Sequence, residues 1–207
     1  MEQYEVDNLL GQELRTADPN LIYLYLQNAI HTAGNEADFK YFVPRILDVI
    51  QSQTRDDCED VSIDFYINIF GGRLMDGRFD RWNLVQKQAV DDLFYDIMTR
   101  QGAAKKFSLV GDTLCAICHI DIPKARYFDL IDTFSDMTAK HIFNYSWKRV
   151  RREGQIKEGF WENAKTENNK LVFNWVMAKE ESFKSPKQSR PGRKKTRGKA
   201  GRKIVLR

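Results

Sequence analysis

Cys115-Ala116-Ile117-Cys118-His119 is the densest run of reactive side chains in the sequence, and its spacing spells the attachment motif of a c-type haem. That chemistry needs both thiols as thioethers and His119 as an iron ligand. Attachment of this kind normally follows export, and residues 1–8 are acidic, without a basic region leading into an apolar one. Both cysteines also stand among Leu114, Ile117 and Ile120, where a thiol serves as a small apolar filler. A redox pair would want its first cysteine at a helix amino terminus, where the dipole lowers the thiol pKa. Asp112 is the better cap here, which puts Cys115 a turn inside the helix. A zinc site would need two more ligands, and Cys58, His31 and His141 have no diagnostic spacing. The motif therefore reads as structural cysteine, with no cofactor and no metal assigned.

Other candidates for chemistry are weaker. Asp56-Asp57-Cys58-Glu59-Asp60 is acidic but lacks the alternating ligands and central glycine of a calcium loop, so it reads as a solvated loop. Gly71-Gly72-Arg73 and Asp76-Gly77-Arg78 are turn signals, and no Gly-Lys-Ser/Thr follows to make a phosphate loop. No serine stands in a nucleophile-elbow context. His31 falls at a helix end, where a positive charge complements the dipole, and His141 lies near Phe143 and Trp147 on an amphipathic helix. No catalytic residue is assigned. An enzyme acting through Cys118 or His119 is the least favoured reading.

Charge carries more information than any of these motifs. Residues 182–207 hold eleven Lys and Arg and no acidic residue, so the whole-chain charge of +4, less eleven, leaves −7 on residues 1–181. A polycation gains affinity for a polyanion by releasing condensed counterions, and it needs no fold to do so. Arg190, Arg193, Lys194, Lys195, Arg197, Lys199, Arg202 and Lys203 are the candidate nucleic-acid contacts. Arg190-Pro191-Gly192-Arg193 has the composition of a minor-groove hook but lacks the arginine between proline and glycine, which argues for contact without sequence preference. Lys148, Arg149, Arg151 and Arg152 form a second basic cluster, at the predicted end of a helix, where cations are ordinary.

The remainder must be a folded body. About 180 residues suit one domain, here 1–181, and a 42% hydrophobic, 12% aromatic composition excludes disorder there. Residues 182–207 read as a disordered basic tail. The longest apolar runs, such as residues 21–26, fall far short of the roughly 20 residues that span a bilayer, so no membrane partner is expected. Three cysteines fit a reduced, cytoplasmic protein better than a disulfide framework.

Periodicity predicts helices throughout. Asp18-Pro19 opens one, with Leu21, Ile22, Tyr25, Leu26, Ala29 and Ile30 on one face and Gly34 as its stop. Pro44 is expected to break residues 38–52 into a short turn and a new helix. Residues 61–70 alternate like a half-buried strand, but no partner strand of similar quality is present, so they are assigned to a helix ending at Gly71-Gly72. Residues 83–100 form a helix with Leu84, Val85, Ala89, Leu93, Ile97 and Met98 inward, and Gly102 beyond its end. Further helices are predicted over 112–119, 124–134, 136–150, 160–164 and 169–183. The expected fold is all-α, with antiparallel helix pairs stacked as in HEAT or armadillo proteins. An irregular helical globule is the competing architecture.

The segment Asp38-Phe39-Lys40-Tyr41-Phe42-Val43-Pro44-Arg45-Ile46-Leu47 resembles a motif of an uncharacterised family of bacterial helical, HEAT-like proteins. Residues 111–117 and Phe160-Trp161 with Phe173-Asn174-Trp175-Val176 are similar to later parts of that family's pattern. The resemblance implies a helical fold over the body and transfers no activity and no site residues; the basic tail departs from it. The expectation is a non-enzymatic adaptor or scaffold that meets a protein partner through its helical body and nucleic acid through its tail. The alternative is an immunity-type or regulatory protein that neutralises a basic toxin or enzyme with its acidic body.

Overall fold

From Val110 to Ile120 nearly every side chain is lost to solvent, and the rest of the chain is arranged around that stretch. The computed structural model describes residues 1–55, 63–134, 136–140, 154–156 and 159–179. Among them the regular structure is helical: α1 (Gln3–Leu10), α2 (Pro19–Asn28), α3 (Glu36–Arg55), α4 (Ile63–Asp76), α5 (Leu84–Ala103), α6 (Phe107–Ile117), α7 (Ala125–Phe134) and α8 (Thr166–Ala178). Short 3-10 turns occupy Leu14–Thr16, Phe79–Arg81 and Gly159–Asn163. No strand occurs among the described residues; a single isolated bridge joins Ala29 to Ala33. The all-α expectation holds. The 182–207 segment and its boundary with the body lie outside the described residues, as do Cys58, the acidic run 56–60, His141 and the basic cluster 148–152.

Local chemistry sets several helix starts. The Asp18 carboxylate accepts from Asn20 N at 2.8 Å and Pro19 occupies the first turn of α2. Asn83 Oδ1 accepts from Gln86 N at 2.9 Å and opens α5. At α3 the Asn35 side chain accepts from Ala37 N at 2.8 Å while Asp38 reaches back to Asn35 N at 2.9 Å. That reciprocal cap starts α3 at Glu36.

Several boundary expectations need correcting, among them the last helix, expected over 169–183 and found at Thr166–Ala178. Pro44 does not divide α3, which runs unbroken through it. Its ring lies on the solvent side, while Phe39, Phe42, Val43, Ile46, Val49 and Ile50 face the core. A proline on the outer side of a helix costs least, because a carbonyl left without its donor there can turn toward water. Nor does α2 run on to Gly34. It ends at Asn28, and Ile30 at φ 71° and Gly34 at φ 78° carry the reversal into α3.

Gly71-Gly72 does not end α4, which continues to Asp76. A β-carbon on Gly71 would come within 2.6 Å of the Ala116 carbonyl oxygen. The absence of a side chain is what lets α4 and α6 touch backbone to backbone. Gly102 likewise lies inside the last turn of α5, where a methyl group would overlap the Phe134 ring from α7. Both glycines are packing residues.

The inward face of α5 also differs from expectation. Val90, Leu93, Phe94, Ile97, Met98 and Gln101 are buried, but Leu84 and Val85 are 83% and 80% exposed and Ala89 is exposed. Apolar type alone placed them inward; at 3.6 residues per turn they fall outside the stripe centred on Phe94 and Ile97. Finally, α6 begins at Phe107, so Asp112 sits mid-helix instead of capping it.

Helices contact neighbours one and two places along the chain: α2 meets α3 and α4, α3 meets α4 and α5, and α6 meets α4 and α5. On its outer side α7 is tied to α5 through Tyr127, whose buried hydroxyl donates to the Asp91 backbone carbonyl at 2.9 Å and to its carboxylate. Arg126 adds an ion pair to Asp91 at 2.9 Å and lies over the Tyr95 ring at 4.3 Å. The carboxyl end of α6 is held by α8. Asn168 Nδ2 donates to the carbonyls of Cys118 and Ile120, each at 3.1 Å. Beside it, Asn169 donates to the Ile156 and Trp161 carbonyls at 2.8 and 2.9 Å and accepts from Ile156 N at 2.7 Å. One side chain thus holds both Ile156 and Trp161 against α8.

Candidate functional site

Cys115 and Cys118 are buried in the last turn of α6 and the cap that follows. Desolvation pushes the Cys115 thiol well up, helped by Cys118 and Asp112, and pushes Cys118 up to about 12. Cys118 Sγ donates weakly to the Asn168 carbonyl at 3.9 Å. Both thiols are held protonated inside the core, which is the environment of a filler residue and the reverse of a reactive one. Among the described residues, no group of three or more His, Cys, Asp or Glu converges as a metal site would require.

His119, the third member of the motif, behaves differently. Its ring is 1% exposed, yet it borders a cavity of about 360 Å³ between α4, the loop after α2 and the 159–163 turn. Asn68, Gly72 and Asp76 of α4, with Phe160, complete the lining that matters chemically. The three α4 residues are spaced i, i+4, i+8, so they stand one above another on a single face of the helix.

Burial fixes the protonation of this wall. Desolvation lowers the His119 pKa, against the opposing pull of Asp76 and of the nearby Phe160 backbone, so the ring is neutral at pH 7. The Phe160 backbone supplies a hydrogen bond to the ring, at loose geometry. Asn68 uses its amide nitrogen on the Asp64 carbonyl at 3.0 Å and, more distantly, on Asp112 Oδ1 at 3.4 Å. Its Oδ1, buried in the same wall, has no partner. Behind it, Asp112 is raised to about 6, first by burial and then by the Asp64 charge, with the Asn68 hydrogen bond acting the other way.

The ion pairs at the rim are self-contained. Asp76 accepts from Arg73 at 3.2 Å and from His31 at 3.1 Å. Arg73 also donates to the Leu26 carbonyl, at 3.1 Å, and to the Gln27 carbonyl. His31 therefore stands in the loop beyond α2, paired with α4, and not at a helix end. Gly72, on the cavity side, has nothing within 4 Å of where a β-carbon would stand, whereas its neighbour Gly71 is filled by α6.

No family model, no curated protein and no solved structure matches the chain. What can be said of the site therefore rests on its own geometry. The structure leaves Cys115 and Cys118 in the core and brings His119 together with Asn68, Gly72, Arg73 and Asp76. The basic residues assigned to nucleic acid, Arg190, Arg193, Lys194, Lys195, Arg197, Lys199, Arg202 and Lys203, lie outside the described residues. Sequence reasoning passed over Asn68 and read Gly72 and Asp76 as parts of turns. The signal is their i, i+4, i+8 spacing within a largely apolar helix.

Proposed function

We propose that the chain is a non-enzymatic helical adaptor whose basic segment contacts nucleic acid without sequence preference, while its body engages a protein partner in the cytoplasm. The observation that carries this reading is charge segregation: eleven cationic and no acidic residues in 182–207, against −7 on residues 1–181. Opposite charge on one chain keeps the body from competing with the segment for the same polyanion. Leu84 and Val85, exposed together at the start of α5, favour a protein partner for the body, since neighbouring apolar side chains in water are stabilised by being covered. Contacts between helices one and two places apart support the stacked α-α architecture, as does the family resemblance around residues 38–47. Among the described residues no helix is long and apolar enough to cross a membrane.

Salt-dependent binding to a labelled duplex tests the nucleic-acid half. If about six phosphates are neutralised, log K falls against log salt with a slope near −5. Replacing the eight candidate lysines and arginines by glutamine in the full chain is expected to flatten that slope and weaken binding on every sequence alike. Binding that survives the replacement, or ignores salt, refutes the proposal.

A further inference from the structure

We propose that Arg202-Lys203-Ile204-Val205-Leu206-Arg207 docks on the outer face of α5, beside α3, within the same chain. Ile204, Val205 and Leu206 are the only Ile, Val or Leu residues in 184–207. Counterion release makes no use of aliphatic side chains, so contact with a polyanion leaves these three without a role. They stand between Arg202-Lys203 and Arg207, which makes the segment apolar in the middle and cationic at both ends.

A face of matching character runs along α5. Val85, Ala89, Asp92 and Asp96 are spaced i, i+4, i+7, i+11 and form one stripe. Leu84 flanks the start of the stripe; it and Val85 are almost wholly in water, and Ala89 is exposed. Farther along, Ala89, Asp92, Leu93 and Asp96 line a groove of about 340 Å³ with Leu47 and Gln51 of α3. That volume is at the small end for binding sites and suits a few side chains of an extended segment. The stripe is therefore apolar at one end and acidic at the other. Tyr4 and Leu10 of α1 are also exposed, but they are six positions apart and point to different sides of their helix.

Charge sets the direction of docking. Arg126 is shared between Asp91, at 2.9 Å, and Asp92, at 3.7 Å, while Arg100 pairs with Asp96 at 2.9 Å. Three carboxylates against two guanidinium groups leave one negative charge there, on a body that carries −7. Spacing agrees with charge. Ala89 to Asp96 is seven residues, about 10 Å along a helix, and Val205 to Arg202 is three residues, about 10 Å along an extended chain. With Val205 over Val85 and Ala89, Arg202 and Lys203 reach Asp92 and Asp96.

The occupant is the chain's own segment, and a second body is disfavoured because it would set −7 against −7. The 22 residues of 180–201 can span up to about 70 Å, against roughly 40 Å across a body of this size. Tethering raises the segment's effective concentration toward the millimolar range, so a contact weak for a free peptide is populated within one chain. A protein partner for this face has to displace it.

The test compares methyl resonances of Leu84 and Val85 in the full chain and in Ile204→Ser/Val205→Ser/Leu206→Ser. That variant keeps all eleven cations, so docking and nucleic-acid binding fail separately. The two methyl sets are expected to differ, the difference to stay constant over a tenfold range of protein concentration, and nuclear Overhauser contacts to join Val85 to Val205. Leu84→Ser/Val85→Ser changes only exposed side chains, keeps its circular dichroism, and is expected to abolish those contacts from the Ile204 and Leu206 side. Asp92→Asn/Asp96→Asn is expected to lower the docked fraction at least about twofold. Identical Leu84 and Val85 resonances in parent and serine variant overturn the proposal. So does a difference that grows with protein concentration, which assigns the segment to a second copy, and so does docking that ignores the Asp92→Asn/Asp96→Asn change.

Discussion

Alanine at Gly71 and alanine at Gly72 are the same chemical change on adjacent residues of one helix, and the structure gives them opposite signs. In a helix interior alanine is favoured over glycine by about 1 kcal/mol. At Gly72 nothing opposes that gain, since the new β-carbon meets nothing within 4 Å. Gly72→Ala is therefore expected to stabilise by up to about 1 kcal/mol, a rise in Tm of roughly 2–4 °C for a body of this size. At Gly71 the β-carbon would lie 2.6 Å from the Ala116 oxygen and 2.7 Å from its α-carbon, both backbone atoms of α6. No rotamer relieves that; α4 and α6 must move apart along their whole contact. Overpacking of this kind costs roughly 1–3 kcal/mol and sometimes more, and separating two packed helices forfeits dispersion contacts beyond the residue itself. After the propensity gain is subtracted and the lost dispersion contacts are added, Gly71→Ala is expected to lose about 1–2 kcal/mol, lowering Tm by roughly 2–8 °C. Thermal and urea unfolding of the two variants beside the parent protein measures both shifts. Equal tolerance at the two positions would refute the close approach of α4 and α6 on which the core is built.

Asn169→Leu removes three hydrogen bonds and strands the Ile156 and Trp161 carbonyls and the Ile156 N–H, so a loss of at least about 3 kcal/mol is expected in urea unfolding. Asp112, raised to about 6 in the fold against about 4 when unfolded, binds more protons folded than unfolded between those values; stability thus falls as pH rises from about 4 to 6. Asp112→Asn is expected to flatten that limb and, allowing for partial exposure, to gain about 1–2 kcal/mol at pH 7. Lys124 carries the opposite sign: burial lowers it to about 8, so the unfolded chain holds the extra proton between about 8 and 10.4 and stability rises with pH across that window. Lys124→Met, which leaves the Ile120 carbonyl its bond from Asn168, is expected to stabilise at pH 7 by on the order of 2 kcal/mol and to abolish the rise. Unfolding curves at stepped pH check both.

Features that depend on neighbours in the chain were legible in the sequence. Asp18-Pro19 and Asn83 start helices because a cap is a contact over two or three residues. The strand-like alternation of residues 61–70 yields to helix from Ile63 onward, since a strand needs a partner and none is on offer. What failed was everything set by a distant surface. Gly71 and Gly102 look like helix stops until the Ala116 backbone and the Phe134 ring are placed against them. Leu84 and Val85 are as apolar as any core residue, and only the angular position of the α5 stripe turns them outward. The site shows the same division. The cysteine–histidine motif drew attention to His119, but its role follows from Asn68, fifty-one positions earlier, and Phe160, forty-one positions later, which no local pattern connects.

The two asparagines of α8 also set a schedule. The carbonyls of Cys118 and Ile120 that close α6 receive their donors from Asn168, fifty and forty-eight residues further on. A ribosome adding about 5–20 residues per second leaves them waiting for some 3–10 s. Through that interval α6 has an open end, and Ile156 and Trp161 have no Asn169 to bond with. The carboxyl end of α6 is thus closed only once α8 has been made and docks, so the two helices are completed as one unit across an intervening stretch of some fifty residues.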